Sequence, residues 1–145
     1  MTTDLMLAIG HHLFAFSLLA LLVAEWVILT GTPSRPVVRR LLLIDVAYGM
    51  AALGSLAVGV CRVVWGAKPP AFYTGNPVFW TKMGLWAVIA LISLVPTIRY
   101  IIWWRSQELP AGSAFASTRR LVAWEALLFA GVPVMAAMMA HGVGY

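Results

Sequence analysis

Four long apolar stretches, separated by short polar segments, organise the sequence. They cover residues 5–30, 41–65, 78–104 and 121–145. A stretch of roughly 25 residues is about 38 Å long as an α-helix, which is enough to cross a lipid bilayer with some tilt. Backbone groups in hydrocarbon must be hydrogen-bonded within their own segment, and the alternating pattern of barrel strands is missing. The pattern therefore predicts an all-α integral membrane bundle of four transmembrane helices.

The segments between the stretches are short and rich in turn-forming residues. Residues 31–40, 66–77 and 105–120 contain Gly, Pro, Ser and Asn and leave no room for a second folded unit. We therefore expect a single domain over residues 1–145, with any functional site in or beside the helices.

Composition supports a lipid environment. Apolar residues make up 62% of the chain and charged residues 10%, so the surface cannot be mainly water-facing. The net charge is +5, but the arginines are divided between two short loops instead of forming one patch, so we expect no nucleic-acid partner. The single cysteine, Cys61, excludes a disulfide within the chain.

Basic residues predict the orientation in the membrane. The first and third loops and their flanks contain most of them: Arg35, Arg39, Arg40, Arg99, Arg105, Arg119 and Arg120. The second loop holds only Lys68. By the positive-inside rule, the first and third loops are cytoplasmic and both termini are periplasmic.

The histidines and several basic residues are predicted to share the periplasmic half of the bundle. With the orientation above, this half receives all three histidines of the chain, His11, His12 and His141. The same half receives three basic side chains, Arg62, Lys68 and Lys82. We call these six residues the predicted outer layer.

A second polar group is predicted near the cytoplasmic ends of the helices. Predicted helices one, two and four place one carboxyl each there, from Glu25, Asp45 and Glu125. Charges inside a membrane are costly and are usually paired or functional. We favour salt bridges from these carboxyls to Arg39, Arg40 and Arg119, and proton handling is the alternative.

Seven-residue spacing indicates which side chains face the interior of the bundle. In predicted helix two, Asp45, Ala52 and Gly59 interleave with Tyr48, Ser55 and Arg62. This stripe of small and polar residues should face inward, either for close helix packing or to leave space beside Gly59 for a flat macrocycle. In predicted helix one, His11 shares the spacing of Asp4, Leu18 and Glu25, whereas His12 is turned about 100° away.

Haem b binding needs this combination of residues. A membrane cytochrome takes imidazole ligands from two helices, apolar walls around the macrocycle and basic side chains beside the propionates. We expect His141 and one of His11 or His12 as iron ligands, with six further cofactor-binding residues: Arg62, Lys68, Lys82, Tyr48, Ser55 and Gly59. Two histidine ligands would leave no open position on the iron, so the expected role is electron transfer, with quinone or another redox protein as partner. A homodimer could hold a second haem.

Two other functions fit parts of the pattern. A copper site could form around His141, because Met135, Met138 and Met139 precede it and Cys61 is placed at a similar depth. A small transporter, channel or membrane-assembly factor could instead use the intramembrane charges as an ion path.

Four segments of the chain carry a family resemblance, namely residues 9–16, 45–49, 72–82 and 119–121. They resemble a family of small bacterial inner-membrane proteins known as domain of unknown function 2214, which implies a multi-pass four-helix protein without an assigned reaction. The resemblance extends over nearly the whole chain.

A more distant similarity concerns the early histidine and Lys82. His12 followed by Leu-Phe-Ala, together with Phe79-Trp80-Thr81-Lys82, is similar to the HemJ-type protoporphyrinogen oxidases and the CopD-type copper-resistance membrane proteins. These relatives imply haem or copper, and the HemJ type implies haem-dependent oxidation of a porphyrinogen. The similarity places the matching histidine at His12 while the seven-residue spacing favours His11, so both stay candidates.

Overall fold

The computed structural model describes residues 2–144, and within that range it is helical and loop structure without strands. Its elements in chain order are α1 (Thr2–Ile28), α2 (Arg35–Trp65), α3 (Pro70–Thr74), α4 (Pro77–Arg105) and α5 (Gly112–Ala140). The four long helices, α1, α2, α4 and α5, are each apolar and long enough to cross a membrane. The predicted all-α four-helix membrane fold is confirmed.

The helix bounds differ from the predicted ones where helices extend beyond the apolar stretches. α2 begins at Arg35 instead of residue 41, and α5 begins at Gly112 instead of residue 121. Apolar residues mark only the part of a helix inside hydrocarbon, whereas the backbone continues as helix into the headgroup region. Pro36 also favours the early start of α2, because proline fits the first turn of a helix. α5 ends at Ala140, and the predicted end at residue 145 lies outside the described residues.

The long helices pack as a ring of two antiparallel hairpins. α1 packs mainly against α2, and α4 mainly against α5; smaller interfaces join α2 to α4 and α5 to α1. Gly54 explains the close approach within the first hairpin, since a Cβ atom there would lie 2.5 Å from the ring of Phe14. A small residue thus lets a large aromatic side chain fit against the neighbouring backbone.

Polarity is distributed as expected for a protein surrounded by lipid. Large apolar side chains such as Phe16, Met50 and Leu91 are about two-thirds exposed on the outside. The interior contains apolar residues such as Leu22 and Val122. It also contains six buried polar residues: Glu25, Asp45, Ser55, Asn76, Thr118 and Glu125. The buried polar groups of the described residues therefore lie between the helices.

Asn76 ties the two ends of the second hairpin together. It caps α4 by accepting a hydrogen bond from the Val78 N–H at 2.8 Å, and its side-chain nitrogen donates to the Val143 carbonyl at 3.1 Å. The residues after α5 therefore lie beside the start of α4. This contact sets the depth of His141 relative to the α4 side chains.

The orientation predicted from the arginines can be tested by labelling single cysteines. We expect that, in a Cys61→Ser background, Lys68→Cys reacts with a membrane-impermeant maleimide in intact cells. Ser113→Cys, at the opposite end of the bundle, should react only after permeabilisation. Both positions are exposed, so accessibility of the thiol is decided by the membrane and not by burial. The opposite labelling pattern would show that the loop with Lys68 is cytoplasmic and would contradict the predicted orientation.

Candidate functional site

His11 points into the bundle toward α2. A Cβ atom built on Gly59 would lie 3.5 Å from His11 Cε1 and 3.8 Å from Nδ1, so the ring rests on this glycine. The ring also faces the backbone carbonyl of Ser55. His11 Nδ1 is buried and has no hydrogen-bond partner among residues 2–144. This is the inward orientation that the seven-residue spacing indicated, while the role of His11 as a ligand stays a prediction.

Arg62 and Lys82 lie in the same layer as His11. Both positive charges are within electrostatic range of the imidazole. Arg62 Nε is buried and unpartnered within the described part of the chain. Lys82 Nζ lies 5.5 Å from the centre of the Phe79 ring, a cation–π distance. We call His11, Arg62 and Lys82 the His11 layer.

The other members of the predicted outer layer lie outside it. His12 is exposed on the outer surface of α1, where its Nδ1 lies 2.7 Å from the Ala8 carbonyl, and it lines a shallow hollow of about 360 Å³. Lys68 is exposed beyond the end of α2, with Nζ 5.2 Å from the centre of the Phe72 ring. His12 is within electrostatic range of His11 but is exposed on the outside of α1, and Lys68 is not among the charges that act on His11.

His141 caps α5 instead of lying within the helix. It is exposed, and its Nδ1 lies 2.9 Å from the Ala137 carbonyl of its own helix. The helix ends here because Gly142 and Gly144 adopt positive φ angles of 78° and 98°, which glycine tolerates at a helix terminus. The apolar stretch concealed this ending. His141 is therefore level with the start of α4, further out than Lys82, and the structure does not bring it to His11.

The residues considered as copper ligands differ in burial. Met139 is buried in the core at 5% exposure, whereas Met138 is 40% exposed on the outside. Cys61 is a free, half-buried thiol on α2. More generally, no group of three or more His, Cys, Asp or Glu residues in the described range is placed to hold a metal ion.

The three carboxyls predicted near the cytoplasmic ends form a buried group in the structure. Glu25, Asp45 and Glu125 are 2%, 6% and 1% exposed, and they lie within electrostatic range of one another. The Tyr100 hydroxyl donates to Glu25 Oε2 at 3.2 Å, and the Thr97 hydroxyl donates to Asp45 Oδ1 at 2.8 Å. We call Glu25, Asp45 and Glu125 the carboxyl cluster.

The prediction that arginines form salt bridges with this carboxyl cluster is wrong. Within residues 2–144, the side-chain partners are hydroxyls, and Glu25 Oε1 and Glu125 Oε1 have no partner. Arg39 and Arg40, two of the expected partners, are exposed. Long arginine side chains at a helix end extend toward headgroups and water, which keeps their charge solvated.

Two other arginines show where the basic residues of this end do bind. Arg99 donates to the hydroxyls of Ser117 and Thr118, both at 2.9 Å. Arg35 donates to the carbonyl of Trp103 at 3.0 Å and stacks over Trp104 at 5.0 Å from the ring centre. These bonds hold α2, α4 and α5 together at the end of the bundle without using a carboxylate.

A cavity of about 310 Å³ lies beside the carboxyl cluster, between α2 and α4. Its polar wall is formed by Asp45, Tyr48, Ser93 and Thr97, and its aromatic wall includes Trp86 and Phe129. Val46 and Leu94, at its outer edge, are more than half exposed toward the lipid. The cavity therefore opens sideways toward hydrocarbon.

Tyr48 belongs to this cavity and not to the His11 layer. Its side chain is only 7% exposed, and its hydroxyl makes no hydrogen bond within residues 2–144. It lies within electrostatic range of the three carboxyls. Ser55, with which Tyr48 was grouped by spacing, is about 10 Å further along α2. One inward stripe thus serves two separate sites, and sequence spacing gave no signal of the division.

Thr97 and Tyr100 were missed as partners of the carboxyls. They lie on α4, which contributes no carboxyl to the cluster. Residues with hydroxyl side chains are common in membrane helices, so their presence did not mark them as partners. The available signal was their spacing from Ser93, which places Thr97 one turn along the same face of α4.

Removing the Tyr100 hydroxyl should destabilise the bundle, because it is the donor that crosses from α4 to α1. For Tyr100→Phe we expect a loss of about 1–3 kcal/mol, the usual cost of leaving a buried acceptor, here Glu25 Oε2, without its donor. The thermal unfolding midpoint of the purified protein in detergent measures this loss. Tyr73→Phe, at a half-buried position in α3, is the matched control. An equal effect of both substitutions would contradict a special role for the Tyr100–Glu25 bond.

Comparison with known proteins gives one match. Residues 3–144 match the family model described as a predicted membrane protein, DUF2214. No curated protein and no solved structure matches the chain. Since the match extends over almost the entire sequence, this four-helix membrane protein belongs to the DUF2214 family.

Proposed function

We propose that the chain is a membrane haem b protein with a redox role and that His11 is a ligand to the haem iron. The observation that carries the proposal is a pair of buried nitrogens in one layer, His11 Nδ1 and Arg62 Nε, that have no hydrogen-bond partner among residues 2–144. Leaving such atoms without a partner costs about 1–3 kcal/mol each, and native proteins contain few of them. A ligand with both a metal and an anionic group would satisfy both atoms.

The surroundings of the His11 ring fit a metal ligand. A ligating histidine usually directs its second ring nitrogen at a carbonyl or carboxylate, which fixes the ring orientation. The His11 ring lies near the Ser55 carbonyl, and its Nδ1 has no hydrogen-bond partner among residues 2–144. Gly59, four residues after Ser55, has no side chain to separate the imidazole from this part of α2.

The basic residues of the layer fit the propionates of haem. Arg62 and Lys82 come from α2 and α4, so their charges approach the layer from two helices. Charge-assisted hydrogen bonds to carboxylates are roughly twice as strong as neutral ones. Haem b, when bound, would supply one-electron chemistry whose potential depends on its ligands and burial.

The structure distinguishes the candidate histidines by their surroundings. His11 faces the interior, His12 faces the outside, and His141 is exposed at the end of α5. We therefore assign the α1 ligand to His11, and His141 remains the candidate for a second ligand. We also propose that the protein resides in a bacterial inner membrane with the His11 layer on the periplasmic side.

Absorption spectra of protein purified from haem-replete cells test the proposal. We expect a Soret band with reduced α and β bands in the wild type, and at least about a tenfold loss of bound haem in His11→Ala. His12→Ala is the matched control, since it removes the adjacent imidazole from the outer surface of the same helix. His141→Ala should keep the haem; a change from a low-spin to a high-spin spectrum would identify it as the second ligand. Colourless wild-type protein would refute the haem proposal.

Substitutions at Gly59 test whether contact with α2 positions the His11 ring. A Cβ atom at this position meets the ring at ordinary van der Waals distance, so Gly59→Ala should retain haem. Gly59→Leu should displace the ring and lower the bound haem by about tenfold, because a branched side chain needs the space that the imidazole occupies. The haem-to-protein ratio measures both variants. Equal haem content in the two would mean that the ring does not depend on Gly59.

A further inference from the structure

We infer that the cavity between α2 and α4 binds the ring of a lipid-soluble quinone. The inference deepens the proposed function and rests on it in one respect, because a quinone is an electron partner that a membrane haem protein can reach through the bilayer.

One wall of the cavity carries a hydroxyl donor that is not used elsewhere in the described part of the chain. Tyr48 lines it, is 7% exposed, and its hydroxyl has no hydrogen-bond partner in the described part of the chain. Two further hydroxyls on the facing helix already donate elsewhere, Ser93 to the Ala90 carbonyl and Thr97 to Asp45 Oδ1. A quinone carbonyl oxygen accepts a hydrogen bond from a hydroxyl, so Tyr48 is the donor that the ring would use.

The shape and walls of the cavity favour a planar ring. Its volume of about 310 Å³ is at the lower end of the range for small-molecule sites. Trp86, Phe129 and the Tyr48 ring contribute aromatic surface to the walls. Aromatic side chains pack well against flat rings in offset or edge-on geometry.

The opening of the cavity selects a ligand that arrives from the membrane. Val46 and Leu94 line it and are 53% and 51% exposed on the lipid-facing surface. A polar ring with a long apolar tail can enter there and leave its tail in hydrocarbon. A water-soluble ligand would have to cross the apolar part of the bundle first.

Charge excludes the main alternative lipid ligands. No Lys or Arg is among the described residues that line the cavity, and the carboxyl of Asp45 is part of its wall. An anionic phospholipid headgroup would lack a cationic partner there and would meet the neighbouring carboxyls. A neutral quinone ring avoids both costs.

Filling the cavity at its lipid-facing edge provides the decisive variant. Gly49 lines the cavity, and a Cβ atom there meets nothing within 4 Å, so Gly49→Leu can be accommodated while it occupies the space of the ring. Gly84 on α4 is equally open but does not line the cavity. Gly84→Leu is therefore the matched control for adding a leucine to an exposed helix face.

Decylubiquinone binding to the purified full chain in detergent is measured by quenching of tryptophan fluorescence. We expect saturable quenching in the wild type, at least about a tenfold weaker affinity in Gly49→Leu and a change of less than about twofold in Gly84→Leu. Tyr48→Phe should weaken binding several-fold by removing the free donor. Decylbenzene, which has the tail but no carbonyl groups, should not compete.

Three results would overturn the inference: no saturable binding in the wild type, equal affinity in the two leucine variants, or full competition by decylbenzene. The Soret band of the same samples separates this outcome from failure of the proposed function. Quinone binding that depends on Gly49 in a haem-free protein would support the quinone site and refute the haem proposal. Haem-containing protein whose quinone affinity is unchanged by Gly49→Leu would do the reverse.

Discussion

Lipid on the outside of the bundle restricts where this chain can place polar side chains. A charged group that faces hydrocarbon costs about 2.5–3.5 kcal/mol on insertion scales, so intramembrane polar residues turn toward neighbouring helices. Glu25, Asp45 and Glu125 follow this rule and are almost completely buried. Because they come from α1, α2 and α5, the same constraint that hides them also fixes how these helices are rotated.

Among residues 2–144 the buried carboxyls have hydroxyl donors and no cation as side-chain partners. Tyr100 and Thr97, both on α4, provide hydrogen bonds to Glu25 and Asp45. A buried acceptor without a partner loses the hydration that it had in water, and each hydroxyl replaces part of it. Thus α4, which contributes no carboxyl, is nevertheless held to α1 and α2 by the carboxyls of its neighbours.

The sequence predicted the fold class because hydrocarbon imposes a simple pattern, but it predicted the site only in part. The lengths of the apolar stretches identified four spanning helices, and the seven-residue spacing correctly predicted that His11 faces the interior. Neither signal showed that His141 caps α5, since the glycines that end the helix are also common inside membrane helices. Salt bridges to the arginines were wrong for a related reason: charge alone does not reveal that Arg39 and Arg40 extend outward.

The two candidate sites lie at different interfaces of α2. Within the first hairpin, Gly54 accepts the Phe14 ring, and further along the same interface Gly59 accepts the His11 ring. Between the hairpins, α2 and α4 have a smaller interface, and the cavity lies there. α2 contributes to both: Ser55, Gly59 and Arg62 meet the His11 layer, and Asp45 and Tyr48 meet the cavity. A redox group at one site and a lipid-soluble ring at the other would therefore both contact α2, where Tyr48 and Ser55 are about 10 Å apart along the helix axis.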